Sequence, residues 1–213
     1  MTRKSETTVN IDSIALYGGS FDPVHKGHEN AVNALLSSGL NISETIIMPA
    51  FVNPFKADMD RSRRASDIQR LEMCRIAFEH FPHCTVSDFE ISRGEISYTV
   101  LTLEMLREKY PHKRLILTVG SDSLESLPKW FKFKDIINYA DIAAISRSDR
   151  DSGRLDMLAE IIRREGGTVH IIKAKPFEIS STEIREKIMN NCDISCYISE
   201  NVVKYINSEK IYK

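Results

Sequence analysis

The sequence predicts a doubly wound α/β fold, in which helices cover both faces of a parallel sheet. Short runs of nearly continuous apolar residues, typical of parallel strands, alternate with stretches that carry one apolar face. No internal repeat, low-complexity tract or Pro/Gly/Ser-rich linker interrupts this alternation. Strand–helix alternation over 213 residues indicates βαβ units in a single, Rossmann-like domain that ends in C-terminal helices.

Six segments rich in β-branched and other apolar residues are predicted to be strands. They span residues 13–17, 45–49, 85–91, 114–119, 141–146 and 169–173. Several of them are nearly continuous apolar runs, as expected for parallel strands that helices cover on both faces.

Seven amphipathic segments between and after these strands are predicted to be helices. They span residues 24–38, 62–80, 98–109, 131–139, 152–165, 182–190 and 200–208. Gly39 stands where a left-handed glycine commonly ends a helix, and Pro111 prevents the third helix from continuing. The second helix carries Leu71, Cys74 and Phe78 on its apolar face.

Charge and composition limit the class of function. The chain has 29 Lys+Arg and 30 Asp+Glu, a net charge of −1 that argues against coating nucleic acid or an acidic membrane. No apolar run approaches the roughly 20 residues that span a bilayer, and the polar start MTRKSETTVN lacks the apolar stretch of a signal peptide. We therefore expect a cytoplasmic protein, with residues 1–12 as a flexible extension and residues 13–213 as the domain. The 4 cysteines form no CxxC pair and are expected to be free thiols, and a homo-oligomer is compatible with the sequence.

The stretch GGSFDPVHKGH, residues 18–28, lies between the first predicted strand and the first predicted helix. Sheets of this kind bind ligands beyond the carboxyl ends of their strands. Gly18 and Gly19 allow a ligand to lie close to the main chain. The stretch matches neither the G-x-G-x-x-G dinucleotide pattern nor a P-loop.

Two histidines in this stretch predict a phosphate site. His25 and His28 are three residues apart, so we expect both on one face of the first helical turn, with Gly27 leaving that face bare. A bare patch flanked by two imidazole donors at a helix N-terminus suits a nucleotide phosphate. A chance spacing or a metal pair is the alternative for the two histidines taken alone.

A second phosphate site is predicted in ISSTEIREKI, residues 179–188. Ser180 and Glu183 have the S-x-x-E spacing of a capping box, which predicts a helix start here. The N–H groups of that start and the hydroxyls of the next two residues would face a ligand, and Arg185 adds a forked cation. By itself this pattern is common among ordinary helix starts.

Together the two stretches resemble the HxGH and ISSTxxR motifs of the nucleotidyltransferase superfamily that is related to class I aminoacyl-tRNA synthetases. The resemblance implies that ATP is bound by Gly18, Gly19, Ser20, Phe21, His25, Gly27, His28, Asp122, Ile179, Ser180, Ser181, Thr182 and Arg185. It implies catalytic roles for His25, His28, Lys56 and Arg185. It also implies that a phosphate of the second substrate attacks the α-phosphorus of ATP. Mg²⁺ would arrive with ATP, and no protein metal site is expected.

Three further segments resemble the bacterial nicotinate-nucleotide adenylyltransferases: MPAFVNPFK (48–56), ISYTVLTL (96–103) and GSDSLESLPKWFKF (120–133). The C-terminal part, residues 197–212, also resembles that family. The resemblance implies that nicotinate mononucleotide contacts Gly19, Ser20, Lys56, Thr99, Leu127 and Trp130. The indole of Trp130, the only tryptophan, would stack on the cationic pyridine ring. Ser126 departs from the pattern, because some relatives carry an aromatic residue there.

Three rival interpretations stay open. Phosphopantetheine adenylyltransferases share the reaction and fold, but usually carry threonine at the first histidine position and lack the LPKW segment. An adenylyltransferase that prefers nicotinamide mononucleotide would have the same motifs. A regulatory module that binds nucleotides without catalysis would be expected to have lost one of His25, His28, Lys56 or Arg185, and all four are present.

Overall fold

One sheet of six parallel strands organises the part of the chain that the computed structural model describes, residues 12–56, 64–146, 152–177 and 179–212. The strands are β1 Ser13–Gly19, β2 Ile42–Pro49, β3 Cys84–Val86, β4 Arg114–Gly120, β5 Ala140–Ser146 and β6 Val169–Lys173. Their order is β3-β2-β1-β4-β5-β6, and every neighbouring pair is parallel. The prediction of a doubly wound parallel sheet is confirmed. Apart from Asp12, the predicted N-terminal extension, residues 1–12, lies outside the described residues.

Nine α-helices occur within the described ranges. They are α1 Lys26–Leu36, α2 Asp67–Phe78, α3 Phe89–Arg93, α4 Thr99–Lys109, α5 Ser121–Ser126, α6 Phe133–Tyr139, α7 Ser152–Arg164, α8 Ser181–Met189 and α9 Glu200–Ser208. The 3-10 turns Pro54–Lys56 and Leu127–Lys129 follow β2 and α5. All seven predicted helices are present, six of them with shifted ends and the last, α9, with the predicted bounds, while α3 and α5 were not predicted.

The predicted strand over residues 85–91 is wrong in its second half. β3 is three residues long, and Phe89–Arg93 forms α3, which ends at Gly94 with a left-handed φ of 64°. β3 lies at the edge of the sheet and pairs only with β2 among the described strands, so its side chains are at most half-buried. Phe89, which contributed to the apolar pattern of the segment, packs against the apolar core from this short helix.

The sheet separates two apolar cores. Along β1, Ala15 and Tyr17 face the core formed with α1, α2, α8 and α9, while Ile14 and Leu16 face the core formed with α4, α6 and α7. This alternation follows from the two-residue period of a strand and requires both faces to be apolar. In the described ranges no helix combines the length and the apolar composition that a bilayer span requires. The four cysteines are free thiols, as predicted.

The strand order determines where a ligand can bind. The chain leaves β1 towards β2 on one side, and β4 continues the sheet on the other. Connections that diverge in this way open a crevice at the carboxyl ends of the two central strands. The glycine-rich stretch after β1 and the GSDS segment after β4 both begin at this crevice.

Candidate active site

The turn after β1 exposes the backbone of its glycines, rather than side chains, to the crevice. A Cβ placed on Gly18 would meet only the carbonyl oxygen of Met48, at 4.0 Å, so the backbone lies open. Phe21 adopts a left-handed φ of 48° and buries its ring edge-on against Tyr17 and His28. The backbone of Gly18 is therefore accessible to a ligand, as expected, and the Phe21 ring packs against Gly19.

His25 and His28 are adjacent, although His25 lies outside the helix. His25 is the N-cap of α1 and accepts a hydrogen bond at Nδ1 from the Gly27 N–H, at 3.1 Å. His28 accepts at Nδ1 from the His25 N–H, at 3.1 Å, and the ring centroids are 3.8 Å apart. A backbone N–H can only donate, so each Nδ1 presents a lone pair and a neutral ring carries its proton on Nε2. Nε2–H is then the donor that each imidazole can offer.

The prediction that Gly27 leaves a bare face between the histidines is wrong. Gly27 is buried, and a Cβ there would lie 2.7 Å from Phe177 Cδ1 and 2.9 Å from the His25 ring. Phe177 is stacked on His25, with ring centroids 5.4 Å apart and an interplanar angle of 16°. The glycine is needed because two aromatic rings pack directly against its backbone.

The second motif starts α8 as predicted and lies against the first. Ser180 is the N-cap, and it exchanges the two hydrogen bonds of a capping box with Glu183. The Ser181 hydroxyl donates to the Pro23 carbonyl at 3.0 Å. Arg185 donates from Nη1 to the Asp22 carbonyl at 2.6 Å. These two bonds join stretches that are about 160 positions apart and bring both predicted phosphate sites to one edge of the sheet.

A cavity of about 380 Å³ opens beside the glycine turn, at the carboxyl ends of β1 and β4. It is lined by seven of the predicted site residues: Gly18, Gly19, Ser20, His28, Thr99, Asp122 and Trp130. Its wall therefore combines some of the predicted ATP contacts with Thr99 and Trp130 from the predicted pyridine-nucleotide contacts. The predicted residues at the start of α8 do not line it.

Other predicted residues lie elsewhere. Leu127 is fully buried in the core beneath the cavity, and Phe21 and Ile179 are also buried. His25 is 3% exposed and lies under Phe177. Lys56 ends the Pro54–Lys56 turn, but its side chain lies outside the described part of the structure.

The family of the chain follows from comparison with known proteins. Residues 16–187 match the model of the cytidylyltransferase-like family. A Shewanella frigidimarina protein, "Probable nicotinate-nucleotide adenylyltransferase", is 30% identical over 94% of this chain and 99% of its own length. A protein of the same description from Methylacidiphilum infernorum is 32% identical over 93% of this chain and 91% of its own length. The chain belongs to the nicotinate-nucleotide adenylyltransferase family.

Solved structures agree with the family in fold. The nicotinic acid mononucleotide adenylyltransferase of Plasmodium falciparum, complexed with NaAD, has a TM-score of 0.76 to this chain at 22% identity. The match covers 94% of this chain and 97% of the Plasmodium chain. The prediction of a Rossmann-like fold is thus confirmed independently of the motifs.

The Ser126 departure from the pattern of this adenylyltransferase family has a local structural consequence. The Trp130 indole N–H donates to the Ser126 hydroxyl oxygen, with a 3.1 Å Nε1–Oγ distance. That hydroxyl in turn donates to the Ser123 carbonyl at 3.1 Å. The hydrogen bond to Ser126 therefore fixes one edge of the indole.

Sequence reasoning missed two buried charged residues at the site. Arg70, on α2, donates to the carbonyls of Ser20 and Ala50, at 2.7 and 2.6 Å, and so joins the loops after β1 and β2. Glu90, on α3, lines the cavity and accepts a hydrogen bond from the Thr102 hydroxyl at 2.6 Å. Burial of the Glu90 carboxyl group is the main reason why its pKa is raised. In the sequence Arg70 lies in a predicted helix and Glu90 in a predicted strand, where each charge resembles an ordinary solvated position, so no local signal could have identified them.

The acidic and sulfur-containing residues do not assemble a metal centre in the described ranges. No group of three or more His, Cys, Asp or Glu side chains there is arranged to hold an ion. Asp122 is exposed at the cavity wall, in the first turn of α5.

Proposed function

We propose that this protein transfers the adenylyl group of ATP to nicotinate mononucleotide, giving deamido-NAD and pyrophosphate. One observation carries the proposal: the HxGH turn and the capped start of α8 are joined by the Ser181–Pro23 and Arg185–Asp22 hydrogen bonds, beside the cavity that Trp130 lines. The names of the relatives support it, as does the NaAD bound by the Plasmodium enzyme that shares this fold.

The reaction needs alignment and charge stabilisation rather than a protein nucleophile. A phosphate oxygen of nicotinate mononucleotide attacks the α-phosphorus of ATP, and the bond from that phosphorus to the bridging oxygen of pyrophosphate breaks in line. The attacking oxygen is already anionic at neutral pH, so no general base is required. ATP enters as its Mg²⁺ complex, in which the ion neutralises part of the phosphate charge.

The two motifs supply donors to the transferred and departing phosphates. His28 would donate from Nε2 to a phosphate oxygen, since its Nδ1 already accepts from His25. The N–H groups at the start of α8 and the Arg185 guanidinium would bind the β- and γ-phosphates. His25 would hold His28 in place from the N-cap, through the bond from its N–H to His28 Nδ1. A direct contact of His25 with ATP remains a prediction. Lys56 remains a predicted phosphate ligand.

The other half of the cavity suits the pyridine nucleotide. The indole of Trp130 presents an electron-rich face to a pyridinium ring, and Thr99 starts α4 on the cavity wall. Ser126 fixes the indole from its edge and would take the place of a second stacking ring. Because ATP is a cytoplasmic metabolite, we infer that the enzyme acts in the cytoplasm; a homo-oligomer remains a prediction.

The deciding experiment measures pyrophosphate release from Mg-ATP with nicotinate mononucleotide, nicotinamide mononucleotide and phosphopantetheine in parallel. We expect strong release with nicotinate mononucleotide alone. Release with one of the other two acceptors would keep the mechanism and change the substrate. If a folded chain that binds ATP released no pyrophosphate with any of the three acceptors, the result would favour the regulatory module and refute the proposal.

A further inference from the structure

The hydroxyl of Tyr212, which follows α9, reaches the HxGH turn between β1 and α1. It donates to Oδ1 of Asp22, at 2.7 Å, across 190 positions of sequence. Both residues are buried, with Tyr212 7% and Asp22 3% exposed. Left-handed backbone at Lys210 and Tyr212, with φ of 53° and 67°, turns the chain inward after α9. Nothing in the proposed phosphate chemistry requires a tyrosine here, so the contact needs its own explanation.

Asp22 connects Tyr212 to Arg185. The Asp22 carbonyl accepts from Arg185 Nη1 at 2.6 Å, and its Oδ2 lies 3.6 Å from the same nitrogen. Oδ1 accepts from Tyr212 and from the Ala65 N–H, at 3.1 Å, while Oδ2 is buried with no hydrogen bond within the described residues. The second guanidinium near Oδ2, that of Arg64, is 3.9 Å away. The two bonds on Oδ1 therefore fix the carboxylate so that Oδ2 points towards the arginines.

The charges of this cluster make the tyrosine hydroxyl a suitable anchor. A buried carboxylate is costly unless hydrogen bonds and cations compensate it, and removing one partner leaves part of that cost uncompensated. Burial, together with the neighbouring Asp22 charge, raises the pKa of Tyr212 well above 10. The phenol thus stays protonated at physiological pH and can only donate to the carboxylate.

We infer that Tyr212 is a positioning residue for the triphosphate of ATP, because its hydroxyl orients the Asp22 carboxylate, which forms an ion pair with the Arg185 guanidinium beside the 2.6 Å bond from Arg185 to the Asp22 carbonyl. The role of Arg185 rests on the proposed function. Among the described residues that line the cavity beside Trp130, Tyr212 does not occur. Its loss should therefore weaken the binding of ATP and leave that of the pyridine nucleotide unchanged.

The test compares Tyr212→Phe with Tyr205→Phe, a matched control from the preceding helix. Tyr205 is half-buried on α9, and its ring packs against the same core without a bond to Asp22. For Tyr212→Phe we expect the KM for Mg-ATP to rise about tenfold, the effect of one hydrogen bond to a charged group. The KM for nicotinate mononucleotide should stay within about twofold, and Tyr205→Phe should leave both constants unchanged.

Two further measurements separate positioning from stability and from the reaction itself. The Kd of Mg-ATP, measured by calorimetry without an acceptor, should rise by the same factor even if the acceptor is not nicotinate mononucleotide. Asp22→Asn should raise it too, and the double variant should be no worse than the poorer single variant. An unchanged Kd in a folded Tyr212→Phe chain, or additive effects in the double variant, would overturn the inference. Failure of both single variants to fold would also overturn it, since Tyr212 would then act on stability.

Discussion

Replacing Gly27 by alanine tests whether ring packing against the backbone holds the histidine pair in place. The new Cβ would lie 2.7 Å from Phe177 Cδ1 and 2.9 Å from Cε1 and Nδ1 of His25. Non-bonded carbon atoms normally lie about 3.5–4.0 Å apart, so both rings have to move away. The His25 ring cannot do so without stretching its 3.1 Å bond to the residue 27 N–H, which is the cap of α1.

Three terms determine the size of the effect on the free energy of unfolding. Overpacking a tight site costs about 1–3 kcal/mol, and a lost N-cap costs about 1 kcal/mol. Alanine's preference for a helix over glycine offsets up to about 1 kcal/mol. We expect a net loss of about 1–3 kcal/mol, which lowers Tm by roughly 3–10 °C for a chain of this size. Because His28 is held by the His25 N–H, kcat/KM should fall between about tenfold and a hundredfold.

Gly153→Ala provides the matched control. Gly153 is also a helical glycine, near the start of α7, but a Cβ there meets nothing within 4 Å. Its replacement should leave activity unchanged. The free energy of unfolding should stay the same or rise by up to about 1 kcal/mol relative to the natural chain. Urea unfolding followed by circular dichroism gives the free energies, and pyrophosphate release gives kcat/KM. A Gly27→Ala enzyme as stable and active as Gly153→Ala would show that these ring contacts impose no constraint.

Three more predictions follow from the site. His28→Ala should lower kcat about a thousandfold, because a preorganised donor to the phosphate is lost; near-normal kcat in a folded variant would argue against the assignment. Trp130→Ala should raise the KM for nicotinate mononucleotide and leave that for ATP nearly unchanged, in steady-state kinetics with each substrate varied; an effect confined to ATP would mean that the two halves of the cavity are reversed. Burial raises the pKa of Glu90 above its ordinary 4.5. The folded chain therefore holds that proton more tightly than the unfolded chain, and stability is lost as the pH rises from about 4.5 through the raised value. Glu90→Gln should stabilise the protein more at pH 7 than at pH 4 in urea unfolding, and an equal difference at both values would contradict the assigned cause.

The parts of the fold that depend on local pattern could be predicted from the sequence. Continuous apolar runs marked the strands buried on both faces, because only strands covered by two layers of helices tolerate them. The same rule failed at the sheet edge, where β3 is short and its neighbour Phe89–Arg93 is helical. The capping box at Ser180 predicted the start of α8 because its two hydrogen bonds link residues only three positions apart.

The buried polar contacts of the site could not be predicted in this way. Arg70 and Glu90 are charged residues on helices, and their sequence neighbourhoods are those of solvated positions. Each becomes a site residue through partners that are 12 to 50 positions away. Such contacts follow from the packing of elements, which a single sequence does not display. The bond from Tyr212 to Asp22 is the extreme case, since no short pattern relates them.

Phe177 shows the same limit at the HxGH motif. The spacing of His25 and His28 predicted two neighbouring rings on one face, and the rings are adjacent. The space between them, which was predicted to be bare, is instead covered by Phe177. Gly27 allows Phe177 to pack on His25 across 150 positions, so one imidazole faces protein and the other faces the cavity. The two histidines are therefore chemically unequal before any substrate binds. We therefore expect His28 to meet a phosphate directly, and His25 to act first through the backbone bond that orients its neighbour.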